Sequence, residues 1–164
     1  MSGGVRIVHL ADAPGASATL ARWFEDEWGP WYGPEGPGDA ARDLALCRRG
    51  DELPICLVAL GAGDQVMGTI ALKSESVGAD QHPGPWLAAF LVGNEHRRRG
   101  VGAALVEAIE AEARRLGFAA VHTSVENGGA MFERRGWRGI GSAQSLRGWV
   151  AVYCLDLREG ASPG

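Results

Sequence analysis

The chain has 164 residues, 46% of them hydrophobic and 22% charged, with a net charge of −4. That is the profile of one soluble domain large enough to bury a core, and the acidic balance argues against nucleic-acid binding driven by a general positive field. Cys47, Cys56 and Cys154 are far apart and form no CxxC pair. Zinc, a secreted disulfide framework and a membrane span are therefore not expected, each cysteine reads as a small buried apolar residue, and a reducing, cytoplasmic setting is the default.

In chain order, "VRIVHL" alternates as a strand. "ASATLARWFEDEW" puts Leu20, Trp23, Phe24 and Trp28 at helical spacing. "GPWYGPEGPG" has too many glycines and prolines for regular structure, and Asp39 reads as the N-cap of a helix running through Arg49 to Gly50. "LPICLVAL" and "QVMGTIALK" form a hairpin about "GAGD". "WLAAFLV", Trp86 to Val92, is an unbroken apolar run, as in a central strand.

The longest helix is expected over Ala103 to Leu116, with Glu110 and Arg114 as an exposed i,i+4 pair and Gly117 as its C-terminal cap. "AAVHTSV" is a further strand and "GGAMFERR" a short helix. A short strand is a candidate near Arg138 to Ile140, and "WVAVYCLDL" is the last. One domain over 1–157 and a flexible tail over 158–164 are the expectation.

"NEHRRRGVGAAL" stands out. Three arginines and two glycines sit between a strand and a long helix, in a chain with a single lysine, Lys73. A helix N-terminus offers unpaired N–H groups and the positive end of the helix dipole. Gly100 and Gly102 let that backbone approach an anion closely, and the arginines add charge-assisted donors. The G-K-[ST] ending of a nucleotide P-loop and the third glycine of G-x-G-x-x-G are both missing, so a nucleoside triphosphatase fits poorly.

"FLVGNEHRRRGVGAALVEAIEAEARRLGF" resembles motif A of the GCN5-related N-acetyltransferases (GNAT), Q/R-x-x-G-x-G/A after a strand. Arg97, Gly100 and Gly102 fill its three fixed positions. "VENGGAMFERRGW" is similar to a shortened form of the family's N-x-x-A-x-x-x-Y-x-x-x-G-F segment, and the element order agrees over nearly the whole chain. The resemblance implies an α/β (α+β) fold with a mixed, mostly antiparallel sheet of about six or seven strands flanked by about four helices. It also implies acetyl-CoA as co-substrate, no metal, and transfer of acetyl to a primary amine of a small molecule or peptide. Arg97, Arg98, Arg99, Gly100, Val101, Gly102 and Ala103 would hold the pyrophosphate. Phe90, Leu91 and Val92 would pair with the pantetheine, and Asn127 would bond to it.

Acetyl transfer needs a neutral amine, a donor for the developing oxyanion and a proton for the thiolate. A backbone N–H at Leu91 or Val92 can serve the oxyanion. Phe132 stands where many family members carry an acidic tyrosine, and the strand lacks the glutamate some use as base. Glu126, His122 and His82 are the candidates left for that role, with Tyr153 and Tyr32 the only tyrosines. Trp28, Trp31 and Tyr32, among Glu25, Asp26, Glu27, Glu35 and Asp39, form an acidic aromatic rim suited to a cationic amine such as a polyamine, an aminoglycoside or a basic peptide; the same aromatics would equally serve as a cover for the core. Two other readings stay open: a CoA-binding or acyl-CoA-sensing module that has lost catalysis, and, less favoured, a nucleic-acid-binding protein using the arginines. The final hairpin offers a surface for a homodimer.

Overall fold

The structure is a computed structural model that describes residues 5–47, 52–97, 100–127 and 129–160. The strands are β1 (Arg6–His9), β2 (Ile55–Leu60), β3 (Val66–Lys73), β4 (Trp86–Val92), β5 (Ala120–Val125), β6 (Arg138–Ser145) and β7 (Gly148–Asp156). The helices are α1 (Ser17–Glu27), α2 (Gly29–Tyr32), α3 (Ala40–Ala45), α4 (Val101–Arg115), α5 (Gly129–Arg134) and α6 (Leu157–Gly160). One sheet takes the strands in the order β1-β2-β3-β4-β5-β7-β6. β1 with β2, β5 with β7 and β6 with β7 are antiparallel, while β4 and β5 are parallel. The mixed, mostly antiparallel sheet with flanking helices is the expected fold.

The chain divides into two compact units, 1–71 with 89–106 and 72–88 with 107–164. In the first, Leu20 and Phe24 of α1 pack with Leu44 of α3, Val58 and Leu60 of β2, and Leu91. The i, i+4 spacing of Leu20 and Phe24 is what aims both at the sheet. Asp39 caps α3 as expected, its carboxylate accepting from the Arg42 N–H at 3.1 Å. In the second unit Trp86, Ala143, Val150 and Val152 form a core patch with Val77 and Ala79 against it.

Four expectations are corrected. Gly29–Tyr32 is a short helix, because Pro30 sits in its first turn, where a missing N–H costs nothing. The strand near Arg138 runs on to Ser145, its polar outward residues hiding it from an apolar pattern. Cys47 and Cys56 form a disulfide, with Cα atoms 5.5 Å apart, leaving Cys154 as the free cysteine. Glu110 is buried rather than exposed and bonds to Arg135 and Trp137, not Arg114. Helix α4 ends as expected, with Gly117 at φ 85, its N–H on the Arg114 carbonyl and that of Phe118 on the Ala113 carbonyl. Helix α3 ends at Ala45, short of the expected Arg49, with Leu46 as its C-cap and Cys47 non-helical; residues 48–50, which include the expected closing Gly50, lie outside the described residues.

Candidate active site

Strand β4 changes character partway along. Its parallel ladder with β5 consists of Trp86↔His122 and Leu87↔Thr123, and the Thr123 hydroxyl donates to the Leu87 carbonyl at 3.1 Å. Ala89 then takes a positive φ of 51, a conformation a non-glycine residue adopts only under constraint. Beyond it, Gly93 donates its N–H to the Met67 carbonyl of β3 at 2.9 Å. The Leu91 carbonyl also faces β3, lying 3.0 Å from where a Cβ on Gly68 would stand. Backbone polar groups alternate sides along a strand, so those of Phe90 and Val92 point away from β3.

The turn after β4 is a 3-10 helix over Asn94–His96. The exposed Arg97 folds back so that its Nε donates to the Val92 carbonyl at 3.1 Å. Gly100 has φ 80, which favours glycine, and no atom lies within 4 Å of the position a Cβ would take. Gly102 is needed for a different reason: a Cβ there would come within 3.2 Å of the Phe90 ring. The absent side chain lets the first turn of α4 lie against β4. Val101 is buried and Ala103 is exposed. Arg98 and Arg99 lie outside the described residues.

Beside the β4 end is an open cleft of about 440 Å³ lined by Trp23, Asp26, Glu27, Leu91, Val92 and Glu95, among others. Its size is within the range of small-molecule sites. Among the described residues, neither Asp26 nor Glu95 has an ion-pair partner. A larger cleft of about 820 Å³ lies near Arg6 and Asp64 and touches neither β4 nor the glycine turn. Sequence reasoning missed Trp23 and Glu95; the helical pattern assigned Trp23 to the core, and Glu95 had only its place beside the arginines.

The aromatic rim is partly a core cover. The Trp28 and Tyr32 rings lie 5.1 and 5.6 Å from Phe24, and Trp31 is 45% exposed. The Tyr32 hydroxyl donates to Asp43 at 2.6 Å, and burial together with that carboxylate pushes its pKa up. Such a phenol keeps its proton.

In the second unit, Glu126 is exposed and ion-paired to Arg147, and Asn127 is exposed in the bend before α5. Phe132 is buried, with Trp137 at 5.2 Å and Tyr153 at 6.3 Å between ring centres. The Tyr153 hydroxyl donates to Glu133 at 2.9 Å, which raises its pKa, with burial adding to the effect. The structure also brings His82 and His122 together, their rings stacked at 5.2 Å. Burial first, and the neighbouring His82 second, lower the His122 pKa. Among the described residues no cluster of three or more histidine, cysteine or acidic side chains is placed to hold a metal, and no helix is long and apolar enough to cross a membrane.

Residues 20–137 match the model of the acetyltransferase (GNAT) family, a span that holds the strand, the glycine turn and α4. The chain belongs to the GNAT family. That membership makes it an N-acetyltransferase with acetyl-CoA as co-substrate. Solved structures of the same fold include an aminoglycoside 6'-N-acetyltransferase complexed with coenzyme A (TM-score 0.72, 14% identity, covering 93% of this chain and 97% of that one). A GCN5-related N-acetyltransferase from Kribbella flavida aligns with TM-score 0.68 and 20% identity over 93% and 97% of the two chains. NAA60 of Arabidopsis thaliana in complex with acetyl-CoA aligns with TM-score 0.71 and 14% identity over 94% and 99%. No curated protein matches the chain by sequence.

Proposed function

We propose that this GNAT enzyme transfers acetyl from acetyl-CoA to the primary amine of a cationic small molecule or peptide by direct attack. The observation that carries the reading is the pairing of a glycine turn, where Gly100 is exposed with open space at its Cβ position and Gly102 lets α4 lie close to β4, with an acidic cleft at the same strand end. Arg97 to Ala103 hold the pyrophosphate, with main-chain N–H groups at the α4 N-terminus as donors. The outward backbone of Phe90 and Val92 runs beside the pantetheine. Of the two oxyanion candidates, the Val92 N–H is favoured, because the Leu91 backbone faces β3. Asn127 is assigned a pantetheine contact on family grounds.

Asp26, Glu27 and Glu95 attract the acceptor, while Trp23, with Trp28, Trp31 and Tyr32 further out, supplies apolar and cation–π surface. An α-amine, with a pKa of about 7.7–8.0, loses its proton more readily than a lysine amine near 10.4. Glu126 is the proposed base. A buried Phe132 at the tyrosine position leaves the departing thiolate without a donor there, which is tolerable because a thiol ionises near pH 8.5. It is also the observation that favours the second reading, a CoA-binding module without turnover.

Acetylation assays over polyamines, aminoglycosides, basic peptides and neutral amines decide between the two. Turnover confined to cationic amines, with KM raised severalfold by Asp26→Asn or Glu95→Gln, supports the proposal. Binding of acetyl-CoA with no turnover on any amine supports the module. The Glu126 assignment expects Glu126→Gln to flatten the acid limb of the kcat/KM profile; an unchanged limb removes it.

A further inference from the structure

The cleft at the β4 end is not isolated. Gln65 and Val66, at the start of β3, line both it and the larger cleft near Arg6. Helix α1 runs along the two together. Thr19 lines the larger cleft, while Trp23, Asp26 and Glu27 line the smaller one. Steps of four, three and one residue keep these side chains on one stripe of the helix. Leu20 and Phe24, on the neighbouring stripe, go to the core. The Trp23 ring brings the helix against the strands, lying 2.8 Å from where a Cβ on Gly93 would stand.

The opposite wall is made of strand ends. Gly93, after β4, bonds to Met67 of β3, and the Gly61 N–H bonds to the Gln65 carbonyl at 2.8 Å across the β2–β3 turn. Leu60 of β2 pairs with Arg6 of β1. Crossing from β4 to β1 takes three strand spacings, roughly 14 Å at about 4.7–4.9 Å each. The helical wall gives a similar length, because Thr19 to Glu27 spans roughly 12 Å at about 1.5 Å of rise per residue. An extended peptide covers that distance with about four residues, at about 3.3–3.6 Å per residue.

Polarity changes along this length. The smaller cleft holds Asp26 and Glu95, neither of them ion-paired among the described residues. The larger has an apolar floor of Val8, Ala13, Ala16 and Leu60, the outer margin of the core under α1. Asp64 on its rim is paired with Arg6. A polyamine, charged along its whole length, loses hydration over such a floor and gains little. A peptide with a free N-terminus matches both ends, with one ammonium for the acids and apolar side chains beyond.

We infer that the two clefts form one groove for the first four residues of a peptide acceptor. Its α-ammonium lies in the smaller cleft, and its third and fourth side chains, when apolar, lie over Val8, Ala13 and Leu60. The inference rests on the smaller cleft being the acceptor site. Transfer forms an amide at the α-nitrogen, and the proton it displaces leaves with coenzyme A as the thiol.

Acetylation of alanyl-alanine amide, alanyl-alanyl-leucyl-leucine amide and spermidine tests this. The tetrapeptide should exceed the dipeptide in kcat/KM by tenfold or more, mainly through KM, and should exceed spermidine. Gly15 allows the groove to be blocked, because it lines the larger cleft and no atom lies within 4 Å of where its Cβ would stand. Gly15→Trp should bring the tetrapeptide down to the dipeptide level while calorimetry still reads acetyl-CoA binding. Turnover independent of peptide length overturns the inference and leaves the acceptor site standing. So does spermidine as the best of the three substrates, or a tetrapeptide advantage that survives Gly15→Trp. No turnover on any amine overturns both.

Discussion

Glu110 shows how far one side chain's setting can depart from its local pattern. Periodicity places it beside Arg114 on α4. The structure buries it, with its two oxygens on Arg135 at 2.7 and 3.0 Å and on the Trp137 indole N–H at 2.9 Å. That guanidinium in turn has its pKa raised, first by the Glu110 hydrogen bonds. Glu110→Ala strands three N–H donors, two on Arg135 and one on Trp137, so it should cost about 2–4 kcal/mol in urea unfolding. Glu110→Gln, which keeps an acceptor for Trp137, should cost less; equal losses would show that the acceptor role is not what matters. Phe132 raises a related point. Because it is buried in a ring cluster, Phe132→Ala should destabilise by about 3–5 kcal/mol, so loss of activity in that variant would report on folding rather than on proton donation. His122 carries a pH dependence. Its lowered pKa means the folded protein resists a proton that the unfolded chain accepts near pH 6.5. Stability is full above that value and declines as pH falls below it, so urea midpoints should drop between pH 7.5 and 5.5. His122→Asn should shrink the drop, and an undiminished drop would place its origin elsewhere.

At the scale of elements, the segments with strong periodicity or clear punctuation were legible. Trp86–Val92 matches its strand end to end, and Gly117 and Asp39 end and begin their helices where the capping rules put them. Less legible was whatever tertiary contact decides. Strand β6 is exposed along most of its length, so it has no apolar alternation to betray it. The cleft joins Trp23 of α1 to Glu95 beyond β4, and only the fold sets residues so distant in sequence side by side. The glycine turn was legible as a motif, but the division of labour inside it was not. Gly100 meets a backbone requirement, while Gly102 meets a packing one against Phe90. Gly102→Val should therefore push α4 away from β4 and weaken acetyl-CoA binding by tenfold or more by calorimetry. Unchanged affinity would show that this close approach is dispensable.

For the whole molecule, the fold and family were readable because the segment that carries the family resemblance is contiguous, from Phe90 to Ala103. The proposed acceptor was readable only as a charge preference, because an acidic rim would select for cations without specifying their shape. The account rests on main-chain donors at the start of α4 receiving a diphosphate. Titration calorimetry with acetyl-CoA on the wild type and on Gly100→Glu tests that most directly. Binding by the wild type, and none by a Gly100→Glu variant that keeps its circular dichroism spectrum, is the predicted result. Equal binding by the two, or none by the wild type, would contradict it.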